Sequence, residues 1–218
     1  MNALWGRIFA ALYDPFLWWG ERRGLARRRR ELLAQARGRV LEVGAGTGLN
    51  LPYYGVDVTE LVLADPEPPM VARLERRLRE CGRPGRVVKA GAEALPFEDG
   101  SFDAVVSTLV LCTVDDPSAA LREIRRVLAA GGWLLFLEHV RAEEGSRLAR
   151  WQDRLEKPWR AFAYGCRCNR DTLGLLASAG FEVSGVGRAA WLGMVPVARP
   201  LVIGRAGPAR PGRGPQGS

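Results

Sequence analysis

The 218 residues suit one domain with short appendages, and a composition 47% hydrophobic and 26% charged provides enough apolar mass for a substantial core. The net charge of +8 rests on arginine, since Lys89 and Lys157 are the only lysines; it permits contact with nucleic acid or anionic lipid and establishes neither. No run of 18 uninterrupted apolar residues, no cleavable-type leader pattern and no paired metal spacing among Cys81, Cys112, Cys166 and Cys168 is present, so the expected setting is reduced and cytoplasmic, with no metal.

The chain opens with Leu4, Trp5, Ile8, Phe9 and Leu12 at helical spacing, then Phe16, Leu17, Trp18 and Trp19, then Arg22, Arg23 and Arg27 through Arg30. An apolar aromatic face beside a basic cluster suits a helix lying in an anionic membrane surface, and equally a lid folded over a cleft. The lid is favoured, because a single weak amphipathic segment seldom anchors stably alone. Residues 1–36 are therefore expected to form a helical cap or interfacial segment and 37–206 the main domain. Residues 207–218, rich in Gly, Pro and Arg, are expected to be a disordered tail.

Arg39-Val40-Leu41-Glu42-Val43 is an apolar strand pattern that runs straight into Gly44-Ala45-Gly46-Thr47-Gly48. The three glycines remove Cβ atoms where the chain must turn sharply and lie against a ligand, and free amides at the next helix start suit an anion such as a carboxylate. The spacing is G-x-G-x-G, with Leu49 where a dinucleotide fingerprint needs glycine, so a nicotinamide site is disfavoured. Glu42 is costly to bury unless it meets a donor, which a ligand ammonium would supply. A plain strand-to-helix turn is the bland alternative. An acid and a glycine loop facing a ligand with both carboxylate and ammonium suggest the methionine end of S-adenosyl-L-methionine, and the segment resembles motif I of the class I methyltransferases.

Beyond the loop, short apolar runs alternate with helical segments, the signature of a mostly parallel sheet covered on both faces, an α/β doubly wound architecture. Strands are predicted near 39–43, 60–64, 86–90, 102–108, 132–139, 181–187 and 199–204, and helices over 67–81, 116–129, 145–161 and 169–179, with Gly131-Gly132 and Gly180 ending two of them. Asp65 closes the second predicted strand, 17 residues beyond Gly48, where a carboxylate accepts hydrogen bonds from ribose hydroxyls; with Pro66 and Glu67 behind it, helix capping is the alternative. Gly91-Ala92-Glu93-Ala94-Leu95-Pro96-Phe97 resembles the G-D-A-E-x-L-P-F segment of small-molecule methyltransferases, with Gly91 in place of the aspartate. Adenine contact then falls to the Ala92 amide, the Glu93 region and apolar faces. Ser107, Thr108, Leu109 and Val110 leave the carboxyl edge of the sheet, where open α/β sheets bind ligands.

Ser107 through Val114, then Leu137-Glu138-His139-Val140, Trp151-Gln152, Pro158-Trp159 and Gly165-Cys166, are similar to the methyltransferase-like seven family of thiol S-methyltransferases, over residues 38–204. The resemblance implies a type 11 methyltransferase domain, a seven-stranded Rossmann-like sheet with an antiparallel last strand, S-adenosyl-L-methionine as cofactor, and a small-molecule acceptor that is lipophilic, a thiol in the first instance. It also implies possible membrane association. Cofactor contacts are expected at Glu42, Gly44, Ala45, Gly46, Thr47, Gly48, Asp65, Pro66, Ala92, Glu93 and Thr108. His139, the only histidine, is expected on the cofactor side of the fifth strand, either orienting an acceptor or taking its proton, or as a structural histidine bonded to Glu138 or backbone. Cys112 and Cys166 fit buried packing better than a pocket wall, and Trp151 and Trp159 fit either an apolar substrate wall or core.

Quinone and phospholipid methylation are the near alternatives. Nucleic acid is disfavoured: the fourth strand lacks N-P-P-Y or D-P-P-Y, Cys112 lacks a preceding proline, and no RNA-binding module is appended. A non-catalytic basic adapter on the same fold is the alternative of another class.

Overall fold

The computed structural model describes residues 12–15 and 17–209. Its centre is a seven-stranded sheet of β1 (Gly38–Val43), β2 (Val58–Ala64), β3 (Arg86–Val88), β4 (Phe102–Thr108), β5 (Leu128–His139), β6 (Phe181–Ala190) and β7 (Pro200–Pro208), in the order β3-β2-β1-β4-β5-β7-β6. The first five strands pair in parallel, and β7 runs antiparallel to both β5 and β6. The mostly parallel α/β sheet is the one the sequence pattern predicts, and its reversed last strand is the one the family resemblance implies.

The period-two alternation of the central strands divides the core between two faces. Leu41, Val43, Val105, Leu134 and Phe136 face a cluster completed by α3 (Pro117–Val127), through Ala120, Leu121 and Ile124, and α5 (Thr172–Ser178), through Leu176. Val40, Ala104, Val106, Leu135 and Leu137 face a second cluster with Leu32 and Leu33 of α1 (Ala26–Leu33), Leu74 and Leu78 of α2 (Pro68–Cys81), and Leu17, Leu25 and Trp191. By this alternation Glu42 and His139 point toward the second face and Glu138 toward the first.

The helices begin where their caps dictate. Asp116 accepts from the Ser118 and Ala119 amides at 2.9 Å ahead of α3, Ser146 accepts from Ala149 at 3.0 Å ahead of α4 (Arg147–Phe162), and Asp171 accepts from Gly174 at 3.0 Å ahead of α5. Gly82, at φ +63°, ends α2, and Gly180, at φ +76°, follows α5 as expected.

Two boundary differences reassign glycines. Gly131-Gly132 does not end a helix: α3 stops at Val127 and the glycines lie within β5, at the irregular register with β4 between Phe102 and Ala104. A Cβ on Gly132 would come to 3.0 Å from the Asp103 and Ala129 carbonyl oxygens, so the close backbone approach is what requires glycine. The last strand also runs to Pro208, opposite Phe181, so Gly207 belongs to the sheet rather than the tail; residues 210–218 lie outside the described residues.

Candidate functional site

The carboxyl ends of β1, β2 and β4 converge on the glycine loop. Gly44, Gly46 and Gly48 all have positive φ, at +58°, +57° and +84°. A Cβ on Gly44 would lie 2.4 Å from Val110 Cγ2, whereas a Cβ on Gly46 would meet nothing nearer than 4.0 Å. Gly44 is therefore fixed by packing against the segment after β4, while Gly46 leaves its open side free. The Ala45 amide donates to Ala64 O at 2.9 Å and the Gly46 amide to Asp65 Oδ2 at 2.9 Å, tying the loop to the end of β2.

Glu42 is 1% exposed, and both of its oxygens have partners within the chain: Asn50 Nδ2 donates at 2.8 Å and the Tyr54 hydroxyl at 2.6 Å. The donors that a buried Glu42 requires are thus supplied within the chain, by Asn50 and Tyr54. Burial still dominates and pushes its carboxyl up to about 7, against the pull of Tyr54, Asn50 and the Arg29 charge. Arg29, from α1, donates through Nη1 to Asn50 Oδ1 at 2.9 Å and Thr108 Oγ1 at 3.1 Å, and through Nε to Glu21 at 3.0 Å. Asn50 Nδ2 also donates to Thr108 Oγ1 at 2.9 Å. Glu42, Gly44, Ala45, Gly46, Thr47 and Thr108 thus line one small cavity with Tyr13, Arg29, Leu49 and Asn50.

Asp65 is 5% exposed and holds two amides, Gly46 through Oδ2 and Glu67 through Oδ1, both at 2.9 Å. Burial raises its carboxyl pKa and the two amides oppose that rise. It therefore pins the glycine loop and organises the turn ahead of α2, whose N-cap residue is Glu67 and has no side-chain cap. Pro66, Gly91 and Glu93 come together beside it: a Cβ on Gly91 would lie 3.2 Å from Glu93 Oε2 and 4.0 Å from Pro66 Cβ. Ala92 is buried. From across the cleft, the Tyr164 hydroxyl donates to Glu67 Oε2 at 2.7 Å.

After β4 the chain turns through Leu109 at φ +63°, a left-handed conformation that costs an L-residue strain. Fully buried Glu138 holds the turn: it accepts from Ser107 Oγ at 2.7 Å, the Val110 amide at 3.1 Å and the Cys112 amide at 3.2 Å. Arg170 grips the same segment through the carbonyls of Leu111 and Val114, both at 2.5 Å. Behind it, the thiols of Cys112, Cys166 and Cys168 stack at 3.8 and 3.7 Å in an apolar cluster that Trp159 covers. The packing reading of Cys112 and Cys166 describes this cluster. Trp151 does not join it; it lies 48% exposed on α4 with Arg154 over its ring.

His139 is 4% exposed, outside the glycine-loop cavity, and stacked on Trp191 with ring centroids 5.5 Å apart. Adjacent residues of a strand face opposite ways, so Glu138 does not reach it. Burial drives its pKa down to about 4, and the imidazole is neutral at physiological pH. Its Nδ1 and Trp191 Nε1 are buried without a hydrogen-bond partner among the described residues.

The N-terminal segment covers the cavity. Asp14 accepts from Thr47 Oγ1 at 2.6 Å and from Arg77 Nη2 at 2.6 Å, and Arg77 also donates to Thr47 O at 2.8 Å. Leu17 and Leu25 are buried, while Trp18 and Trp19 are 55% and 50% exposed with Arg22 and Arg23 over their rings. Leu4, Trp5, Ile8, Phe9 and Phe16 lie outside the described residues. Sequence reasoning missed Arg29, Asn50 and Tyr54. Asn50, two residues past Gly48, was within reach of a motif reading; Arg29 is indistinguishable within its arginine run.

A family model described as "Methyltransferase domain" matches residues 41–136. Human thiol S-methyltransferase TMT1B is 38% identical over 173 residues, 73% of this chain and 70% of that protein. Phosphatidylethanolamine N-methyltransferase of Cereibacter sphaeroides is 37% identical over 124 residues, 55% of this chain and 60% of that protein. The chain spans between 42% and 70% of the length of these and other curated relatives it matches. A solved Thermotoga maritima methyltransferase structure, described as a possible histamine N-methyltransferase, superposes with TM-score 0.66 at 24% identity, over 92% of this chain and 96% of that one.

Proposed function

Because this chain belongs to the class I S-adenosylmethionine-dependent methyltransferases, we propose that it methylates a small lipophilic acceptor, with a thiol as the nucleophile. The 38% identity to a thiol S-methyltransferase over 173 residues is the observation that favours sulfur. When bound, the cofactor supplies an electrophilic methyl on a sulfonium. The residues present fit it: the left-handed glycines open a cradle on the Gly46 side, and one acid and one guanidinium stand at its edge. In this reading Glu42, Gly44, Ala45, Gly46, Thr47, Gly48 and Thr108 hold the amino-acid end, Asp65 and Pro66 the ribose, and Ala92 and Glu93 the adenine.

Such a displacement needs no covalent enzyme intermediate. Acceleration comes from holding nucleophile and methyl in line while water is excluded. The Leu109–Cys112 turn, clamped by Glu138 and Arg170, is assigned the wall that sets this alignment. A thiol of pKa about 8.5 needs only a modest electropositive setting to raise its thiolate fraction. His139, held neutral and stacked on Trp191, is assigned a positioning role at the end of β5, behind the acceptor wall. Methyl transfer from labelled S-adenosylmethionine across alkyl thiols, quinols and aminolipids tests the proposal. Incorporation into thiols is expected, and incorporation only into aminolipids or quinols overturns the choice of acceptor.

Exposed Trp18, Trp19, Leu192 and Val195, beside Arg22 and Arg23, favour docking on an anionic membrane surface, through which a lipophilic acceptor would arrive. No helix among the described residues is long and apolar enough to cross a membrane. Flotation of the full chain with anionic vesicles is expected, with loss in the double variant Trp18→Ser, Trp19→Ser; equal flotation removes the surface reading.

A further inference from the structure

The glycine-loop cavity is charged in a specific way. Its volume is about 20 Å³, and its lining carries one acid, Glu42, and one cation, Arg29. Arg29 is 3% exposed, an unusual depth for a guanidinium, and burial of that charge is costly unless it is paired. Glu21 takes its Nε at 3.0 Å, and neutral oxygens of Asn50 and Thr108 take Nη1; Nη2 has no hydrogen bond among the described residues. Asn50 joins the two charges, with Oδ1 toward Arg29 and Nδ2 toward Glu42.

We propose that Arg29 anchors the carboxylate of the donor's amino-acid end, so that the N-terminal helix is part of the donor site as well as its cover. The inference rests on the cofactor reading above. A zwitterionic amino-acid end requires opposite charges a few ångströms apart, and the Arg29–Asn50–Glu42 array supplies them where loop amides alone supply only dipoles. A charge-assisted hydrogen bond from a guanidinium to a carboxylate is stronger than a neutral one, and Nη2 is the nitrogen left to make it, since Nε and Nη1 already donate within the chain.

The cavity is bounded on its N-terminal side by Tyr13. The wide turn Glu21–Leu25, with Gly24 at φ +121°, separates Tyr13 and Asp14 from α1, which is seated in the core through its own Leu32 and Leu33. Arg29 lies on the seated side.

Calorimetric titration of the full chain tests this, using S-adenosylhomocysteine and 5′-methylthioadenosine, which keeps the nucleoside and thioether but lacks the amino-acid end. Arg29→Gln is expected to weaken S-adenosylhomocysteine about 10- to 100-fold, as for loss of a charge-assisted pair, while methylthioadenosine changes less than about twofold. Equal losses for both ligands, or none for either, overturn the proposal. Wild-type protein that binds neither overturns the cofactor reading beneath it, so the two failures are distinct. If Arg29→Gln does not fold, the wild-type protein decides: at least tenfold preference for S-adenosylmethionine over its decarboxylated analogue is expected, and a preference below threefold overturns the proposal.

Discussion

Asn50 grips Glu42: its Nδ2 donates to Oε1 at 2.8 Å, so the acid near the end of β1 is held by a residue of the loop that follows. The same side chain accepts from Arg29 at 2.9 Å. Asn50→Leu removes both contacts and leaves buried charge underpaired. A loss of about 1–3 kcal/mol in unfolding free energy is expected from urea titration, together with weaker S-adenosylhomocysteine binding. An unchanged urea midpoint would show that the array contributes nothing to the fold.

Glu42 sets a pH dependence. Its folded pKa is raised from 4.5 to about 7, so the folded chain keeps a proton that the unfolded chain has lost. Its contribution to stability is therefore full below pH 4.5 and is lost as pH rises through 7, on the order of 3 kcal/mol across that window. Glu42→Gln is expected to flatten the stability profile between these limits, measured by urea unfolding at half-unit pH steps. Parallel profiles for both proteins would refute the assignment.

Gly44 and Gly46 share nearly the same φ but not the same surroundings. Gly44→Ala adds a clash with Val110 to left-handed strain, and a loss of about 2–5 kcal/mol in stability is expected. Gly46→Ala incurs the strain alone, about 1–2 kcal/mol, and should remain folded with cofactor affinity reduced at least tenfold. Thermal melts and ligand titrations separate the two; the reverse ranking in stability would contradict the packing described.

His139 stays neutral. With its pKa pushed down to about 4, its imidazole resonances are expected to hold constant from pH 5.5 to 8, and the rate profile should show no inflection near 6.5 from this residue. His139→Phe keeps the stack on Trp191 while removing Nδ1, and should slow turnover more than it weakens cofactor binding. Wild-type kinetics in that variant would leave His139 a packing residue.

The thiols divide by exposure. Cys81 is exposed, whereas Cys112, Cys166 and Cys168 are buried, and contact with Cys166 and burial push the Cys112 thiol up. A disulfide reagent is expected to titrate one thiol quickly in the native protein and the others only after unfolding. Several fast thiols would mean that the cluster opens readily.

The sequence by itself determined the sheet and the glycine-loop turn on which the proposed site is built. Apolar runs of strand length alternating with helical periods specify a parallel sheet, and glycines at 44, 46 and 48 mark a turn whose backbone must be bare, because these are local properties of the chain. Asp65 was legible for the same reason, as the acid closing the next strand. What tertiary structure decided is who meets whom. Arg29 lies among several arginines of equivalent local pattern, and only the packing of α1 over the loop selects it for Glu21, Asn50 and Thr108. Adjacent residues on β5 send Glu138 to the Leu109 turn and His139 to Trp191, yet neither partner is near in sequence. Burial chooses among identical side chains, and burial is a property of the folded whole.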